Sequence, residues 1–311
     1  MPLAVATCAV KLLLPESVLA TPPTADRLRI RWGYALSILS VHVLALLACL
    51  PWLFSWTGLI ACLLGLYVFG TLGVNIGFHR LLTHRSFVCP KWLEQGLAIL
   101  GVCCLQEGPA RWVAIHRQHH QHADERPDPH SPLVAFFWGH VGWLLVGNTS
   151  TDTMHLYHGY ARDLVSQPFY LRIERRFNWF WIYLAHAAVT AVFALLIGWL
   201  VTWNANEAVR FAASVVVWGV LLRTVLVWHI TWSVNSLSHL FGYQSHETGE
   251  NSRNNWLVAL LSNGEGWHNN HHADQRSAAH GHKWFELDVS YLTILAMEKA
   301  GLARKVLRHD R

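Results

Sequence analysis

Residues 56–84 read WTGLIACLLGLYVFGTLGVNIGFHRLLTH, and the fold follows from this one stretch. From Trp56 to Phe78 it is apolar and uncharged. That is long enough to cross a bilayer as a helix, which takes about 20 residues. It then breaks into His79-Arg-Leu-Leu-Thr-His84, two imidazoles and a cation where a crossing helix would leave the hydrocarbon. Just upstream, residues 33–54 form another apolar run, separated from it by a short break near Pro51. Downstream, 179–203 and 209–234 repeat the arrangement across the polar turn Asn204–Glu207. The expectation is an all-α integral membrane protein with four transmembrane helices in two hairpins.

Composition agrees. Of 311 residues, 53% are hydrophobic and only 14% charged, whereas soluble domains carry about a quarter charged. The chain holds 17 tryptophans and 21 histidines. Tryptophan suits membrane interfaces, and histidine in such number suggests metal or proton chemistry. The net charge of +5 is not read as nucleic-acid binding, because no basic cluster is interleaved with stacking aromatics. Cys8, Cys49, Cys62, Cys89, Cys103 and Cys104 show no CxxC spacing, so neither a disulfide framework nor a zinc ribbon is expected.

Lys and Arg set the topology. They fall in the tail 1–32, the middle block 79–178 and the segment 235–311. The two hairpin turns have none, and only Arg210 and Arg223 lie within a run. By the positive-inside rule, both termini and the middle block are cytoplasmic. The domain division is then an N-terminal cytoplasmic tail, 1–32, and a membrane domain, 33–311. In the middle block, 92–105 and 133–147 are apolar but too short to span, and lie in the interface or re-enter.

Three histidine clusters fall on the expected cytoplasmic side: His79 with His84; His116, His119 and His120; and His268, His271 and His272. At about 100° per residue, HxxHH sets three rings within about 100° of arc, so one helical face offers them to a shared metal site. HxxxxH is not one face; its rings would serve different metals or bracket a helix end. Scattered surface histidines are a poor account of three clusters, two with identical spacing, all on one side. Zinc transport would place ligands within the spans, whereas these sit at or beyond span ends. Many neutral imidazoles suit iron and O2, although nitrogen ligands alone would also accept zinc.

At these residues the sequence resembles the membrane fatty acid desaturase family, in particular the acyl-CoA, stearoyl-type branch in its bacterial form. GFHRLLTHRSF, HRQHHQHADERPDPH and GEGWHNNHHA resemble its three histidine boxes, and TWSVNSLSH resembles the segment supplying one more metal-binding histidine. The resemblance runs from about Arg31 to Leu302. It implies a cytoplasmic helical cap carrying a di-iron site, ligated by His79, His84, His116, His119, His120, His239, His268, His271 and His272. Asn235 would hold a metal-bound water. It also implies a narrow, bent acyl tunnel, with Gln106, Trp112, Thr231 and Trp232 near the bend and Tyr67 and Thr71 at the far end; from the residues alone these would be ordinary packing. The activity implied is O2-dependent insertion of a cis double bond, at the delta-9 position, into a saturated fatty acyl chain. A bacterial inner-membrane location is implied with it.

Two departures from the branch bear on the substrate. Ala114 and Ile115 stand where the acyl-CoA enzymes have Arg and Asp for the CoA headgroup, and Glu107 stands where they have Asn. The carrier is therefore open between CoA, a carrier protein and a membrane lipid. The chain has no HPGG haem motif, so electrons are expected from a separate donor such as a ferredoxin or a cytochrome b5-type protein with its reductase. An unactivated methylene has neither acidic proton nor leaving group, which is why such chemistry needs redox metal. A hydroxylase of the same histidine-rich class is the alternative, though its boxes usually begin HxxxH. A metal-dependent membrane sensor is the other class. Arg223 is expected to face the protein interior. His229 is expected to bond another helix, and His130 to sit just behind the ligands. The remaining histidines, His280 among them, are expected not to be ligands.

Overall fold

The computed structural model describes residues 19–152 and 154–309; most of the expected tail, up to residue 18, lies outside them. Four helices are long and apolar enough to cross a membrane: Trp32–Cys49, Trp56–Thr83, Pro168–Thr202 and Ala205–His239. The first is shorter than its apolar run. Pro51 forces Leu50 into an extended conformation (φ −78°, ψ 118°), and Pro51–Leu53 forms a separate turn. The second runs past Phe78 to Thr83, so His79 is on the helix rather than beyond it. The third starts at Pro168 inside the middle block. It is kinked at Arg176 and Phe177, both left-handed (φ 52° and 57°).

The fourth span is the hub. Half of its most apolar stretch is buried, against 11% for the first and third. The third packs along it, joined through left-handed Trp203 and Asn204, whose side chain caps the fourth span by accepting from the Asn206 N–H at 2.9 Å. The first and second spans also pack chiefly on the fourth rather than on each other, so the expected first hairpin is splayed around it. Arg223 sits at its centre with no exposed surface, donating to the Cys103 carbonyl at 2.8 Å and the Gly219 carbonyl at 3.2 Å, with Phe69 4.4 Å below the guanidinium. This is the interior placement expected of it. His229 bonds His42 of the first span (3.1 Å) and His140 (3.0 Å), as expected.

Helix Lys91–Val102, within the expected interfacial segment, packs against the second span. The contact is backbone on backbone: a Cβ on Gly73 would fall 2.3 Å from the Gly101 nitrogen. The chain is not all helical. Strand β1, Ala25–Ile30, pairs antiparallel with β2, Val146–Asn148, fastening the segment before the first span to the middle block. Sequence reading did not expect β1: it is short and has no buried face, with Leu28 95% exposed.

Candidate metal centre and adjoining cavity

The second histidine box rides on helix Pro109–His122, which starts with proline where no N–H partner is needed. The third rides on the short helix His268–Ala273, and His239 ends the fourth span. These elements gather the nine histidines into two groups. His79, His84, His116, His120 and His271 form one, and His119, His239, His268 and His272 the other, with ring nitrogens in each group within 4.8 Å of one another. Each HxxHH box is divided. Its i and i+4 rings join one group and its i+3 ring the other, and the second and third boxes do this in opposite senses.

His79 and His84 fall in the same group, contrary to the expectation of separate metals. The last turns of the second span are wound as a π-helix, and the His84 N–H donates to the His79 carbonyl at 3.1 Å. An i→i+5 bond stacks residues five apart on one face, and the two rings meet edge to face at 4.8 Å. The pair also brackets the helix end.

The nitrogens are spaced as ligands. Nε2 of His79 and His271 are 3.1 Å apart, His116 and His120 3.0 Å, His120 and His271 3.0 Å, His239 and His268 3.0 Å, His268 and His272 3.1 Å. Two nitrogens about 2.1 Å from one ion stand about 3.0 Å apart at a right angle and about 3.4 Å at a tetrahedral angle. Separations of this order are what rings converging on a shared ion require. Nε2 of His84 and of His119 are buried without any hydrogen-bond partner among the described residues. Burial, followed by neighbouring histidines, pushes His116, His120, His268, His271 and His272 well below the usual imidazole range. They stay neutral, as metal ligation requires. The donor set fits two metal ions.

Behind the rings stands a layer of which sequence reading foresaw only His130. Nδ1 of His119 donates to Asp128 at 2.9 Å, Nδ1 of His239 to Asp124 at 2.9 Å, and Nδ1 of His79 to Glu265. Each contact leaves Nε2 as the free acceptor. Glu265 also takes the Arg80 guanidinium (2.7 Å), which reaches Asp288 at 3.0 Å. His130 lies behind His119 (centroids 4.4 Å) and His280 behind His271 (4.3 Å). HADERPD and GEGW hinted at these acids, but nothing in the spacing paired them with particular rings.

Beside the centre lies an apolar cavity of about 680 Å³. Gln106, Trp112, Thr231, Trp232 and Asn235 all border it. Trp112 Nε1 donates to Gln106 (3.1 Å), whose amide donates to Thr231 (2.9 Å), fixing one wall. A smaller space next to it is lined by Val74, Asn75, His79, Ile230, Val234 and His268 among others, and Trp112, His116, Thr231 and Asn235 border both. Tyr67 and Thr71 border neither. The Tyr67 hydroxyl bonds Thr293 (2.8 Å), and Thr71 accepts from Asn263 (2.7 Å). Ala114 and Ile115 are buried, Ile115 on the cavity wall, and neither carries a charge that could meet a phosphate.

The chain belongs to the fatty acid desaturase family, whose match covers residues 54–288, and it is an oxidoreductase of that kind. Among its relatives, the sn-1 stearoyl-lipid 9-desaturase of Anabaena variabilis is 40% identical, over 94% of this chain and 99% of its own length. The sn-2 palmitoyl-lipid 9-desaturase of Nostoc is 39% identical over 92% of this chain and 93% of its own. An acyl-CoA C20 Delta5-desaturase of Anemone leveillei is 38% identical over 88% of this chain and 80% of its own.

Proposed function

We propose that this chain is a delta-9 desaturase that introduces a cis double bond into a saturated acyl chain carried by a membrane lipid. The observation that carries this reading is the junction of Trp112, His116, Thr231 and Asn235, where the apolar cavity meets His116 and opens beside a smaller space lined by His79 of one histidine group and His268 of the other. The lipid carrier is supported by the names of the cyanobacterial relatives and by the uncharged Ala114 and Ile115.

Two irons, one in each group, would supply the O2 activation that removal of hydrogen from a methylene demands. Every other part of the task falls to the chain's own residues. His79, His84, His116, His120 and His271 hold one ion; His119, His239, His268 and His272 hold the other; Asp124, Asp128 and Glu265 orient the rings. Asn235, beside the junction, holds a water. The Trp112–Gln106–Thr231 chain of bonds fixes the bend, and Trp232 closes it. Beyond the bend the methyl end points toward Val74 and Val234, and the Thr71–Asn263 pair, with Tyr67 behind, stops it. The reaction takes up O2, two electrons and two protons and releases two waters. The electrons come from a ferredoxin or cytochrome b5-type donor on the cytoplasmic side, where both termini and the centre lie.

Expression in a desaturase-deficient bacterial host tests this directly. Lipid analysis should show delta-9 monounsaturated chains appearing on intact lipids. In vitro, a labelled phospholipid should be desaturated in preference to the matching acyl-CoA. Hydroxylated chains, or a strict preference for acyl-CoA, would refute the corresponding part of the reading.

A further inference from the structure

We infer that the acyl chain enters the cavity sideways from the bilayer, through an opening between the start of the first span and the kink of the third, with Arg176 taking the phosphate of an anionic phospholipid. This rests on the lipid-carrier reading above.

The cavity wall contains Arg31, Gly33 and Tyr34 from the first span's start and Arg176, Phe177 and Trp181 from the third. Phe177 and Trp181 border the cavity yet are 66% and 60% exposed, so they stand at its rim rather than inside it. A Cβ added to Gly33 would meet nothing within 4 Å. The two spans are not closely packed on each other at this point; each is held by the fourth span and by elements of the middle block. One rim segment opens the first span and the other opens the long helix of the third just past its kink, and exposed aromatic side chains of this kind mark membrane interfaces.

Charge separates this entrance from one facing water. On the cap side of the rim, Arg31 lies 3.8 Å from Glu107 and 3.6 Å from Asp152, and Arg111 lies 2.7 Å from Glu107 and 3.2 Å from Asp152. Two arginines face two carboxylates, and Tyr34 bonds Glu107 as well. The charges of Arg31 and Arg111 are thus already met by carboxylates there. Arg176 is exposed, and among the described residues no carboxylate lies within 4.0 Å of it. At the kink it lines the cavity rim, and a guanidinium binds a phosphodiester well.

The test uses the iron-loaded full chain in phosphatidylglycerol–phosphatidylcholine vesicles with a reduced ferredoxin system. Gly33→Trp should lower turnover of vesicle lipid at least tenfold with two metals per chain retained. Arg176→Glu should raise the half-saturating phosphatidylglycerol fraction several-fold, whereas Arg210→Glu, at the far end of the fourth span, should not. A benzophenone amino acid at Ser37, on the cavity wall, should capture phospholipid by photolysis, and less of it in the Gly33→Trp background. If Gly33→Trp fails to load metal, Arg176→Glu and the Ser37 capture decide. Wild-type turnover of lipid with both variants unimpaired, or no lipid captured at Ser37, overturns the lateral entrance and leaves the proposed function standing. A neutral galactolipid used as well as phosphatidylglycerol, by wild type and Arg176→Glu alike, overturns the phosphate assignment. Turnover of acyl-CoA alone, with no vesicle lipid used, overturns both readings.

Discussion

Glu265 illustrates how much one side chain settles here. It fixes the tautomer of His79, pairs with buried Arg80, and lies 3.4 Å from His280. Glu265→Gln keeps the shape and removes the charge. It should weaken metal binding at the group of five by about 10–100-fold, read as metal retained after dialysis against a graded chelator, with the group of four unaffected. Removing a ring outright is harsher. His119→Ala or His271→Ala should abolish turnover while the protein still inserts in the membrane, and full activity in either variant would refute its ligand role. The three histidine clusters were legible in the sequence from their spacing and His239 from the resemblance, but not the split of each HxxHH box, since periodicity sets its three rings on one face. The carboxylates were not, because Glu265 meets a histidine on the other side of the chain's midpoint and only the fold brings them together.

Among elements, the contact between the second span and helix Lys91–Val102 is the tightest. Gly73→Ala would drive a methyl group into the Leu100–Gly101 backbone. Overpacking of this kind costs about 1–3 kcal/mol. It should appear as a lower melting temperature in detergent, whereas alanine at the open Gly96 should be silent. The second span also carries three polar side chains one turn apart, each bonded to the C-terminal segment: Tyr67 to Thr293, Thr71 to Asn263, and Asn75 to the Ser262 carbonyl at 2.7 Å. Asn263→Ala should loosen the middle rung and lengthen the chains accepted, seen as a shift in the product chain-length profile. An unchanged profile with lower stability would make the rungs purely structural. The four spans were readable because length and apolarity determine crossing. The π-wound end of the second span was not, because residues five apart share a face only after the helix has widened. Nor was the third span's early start, since Pro168–Phe177 is polar enough to pass for loop.

For the molecule as a whole, the proposed function has electrons arriving from a separate donor. Purified, iron-loaded protein given lipid and O2 alone should make no more than one product per site, and a reduced ferredoxin or cytochrome b5 should restore turnover; sustained product without either would refute the external donor. The division of the histidine boxes reaches further, into how the protein is made. His271 completes the group of five, and His268 and His272 complete the group of four. A nascent chain that has threaded all four spans therefore still owns neither centre. Both groups are completed by the same short helix, so neither is whole until synthesis has reached residue 271 and both are whole only at residue 272.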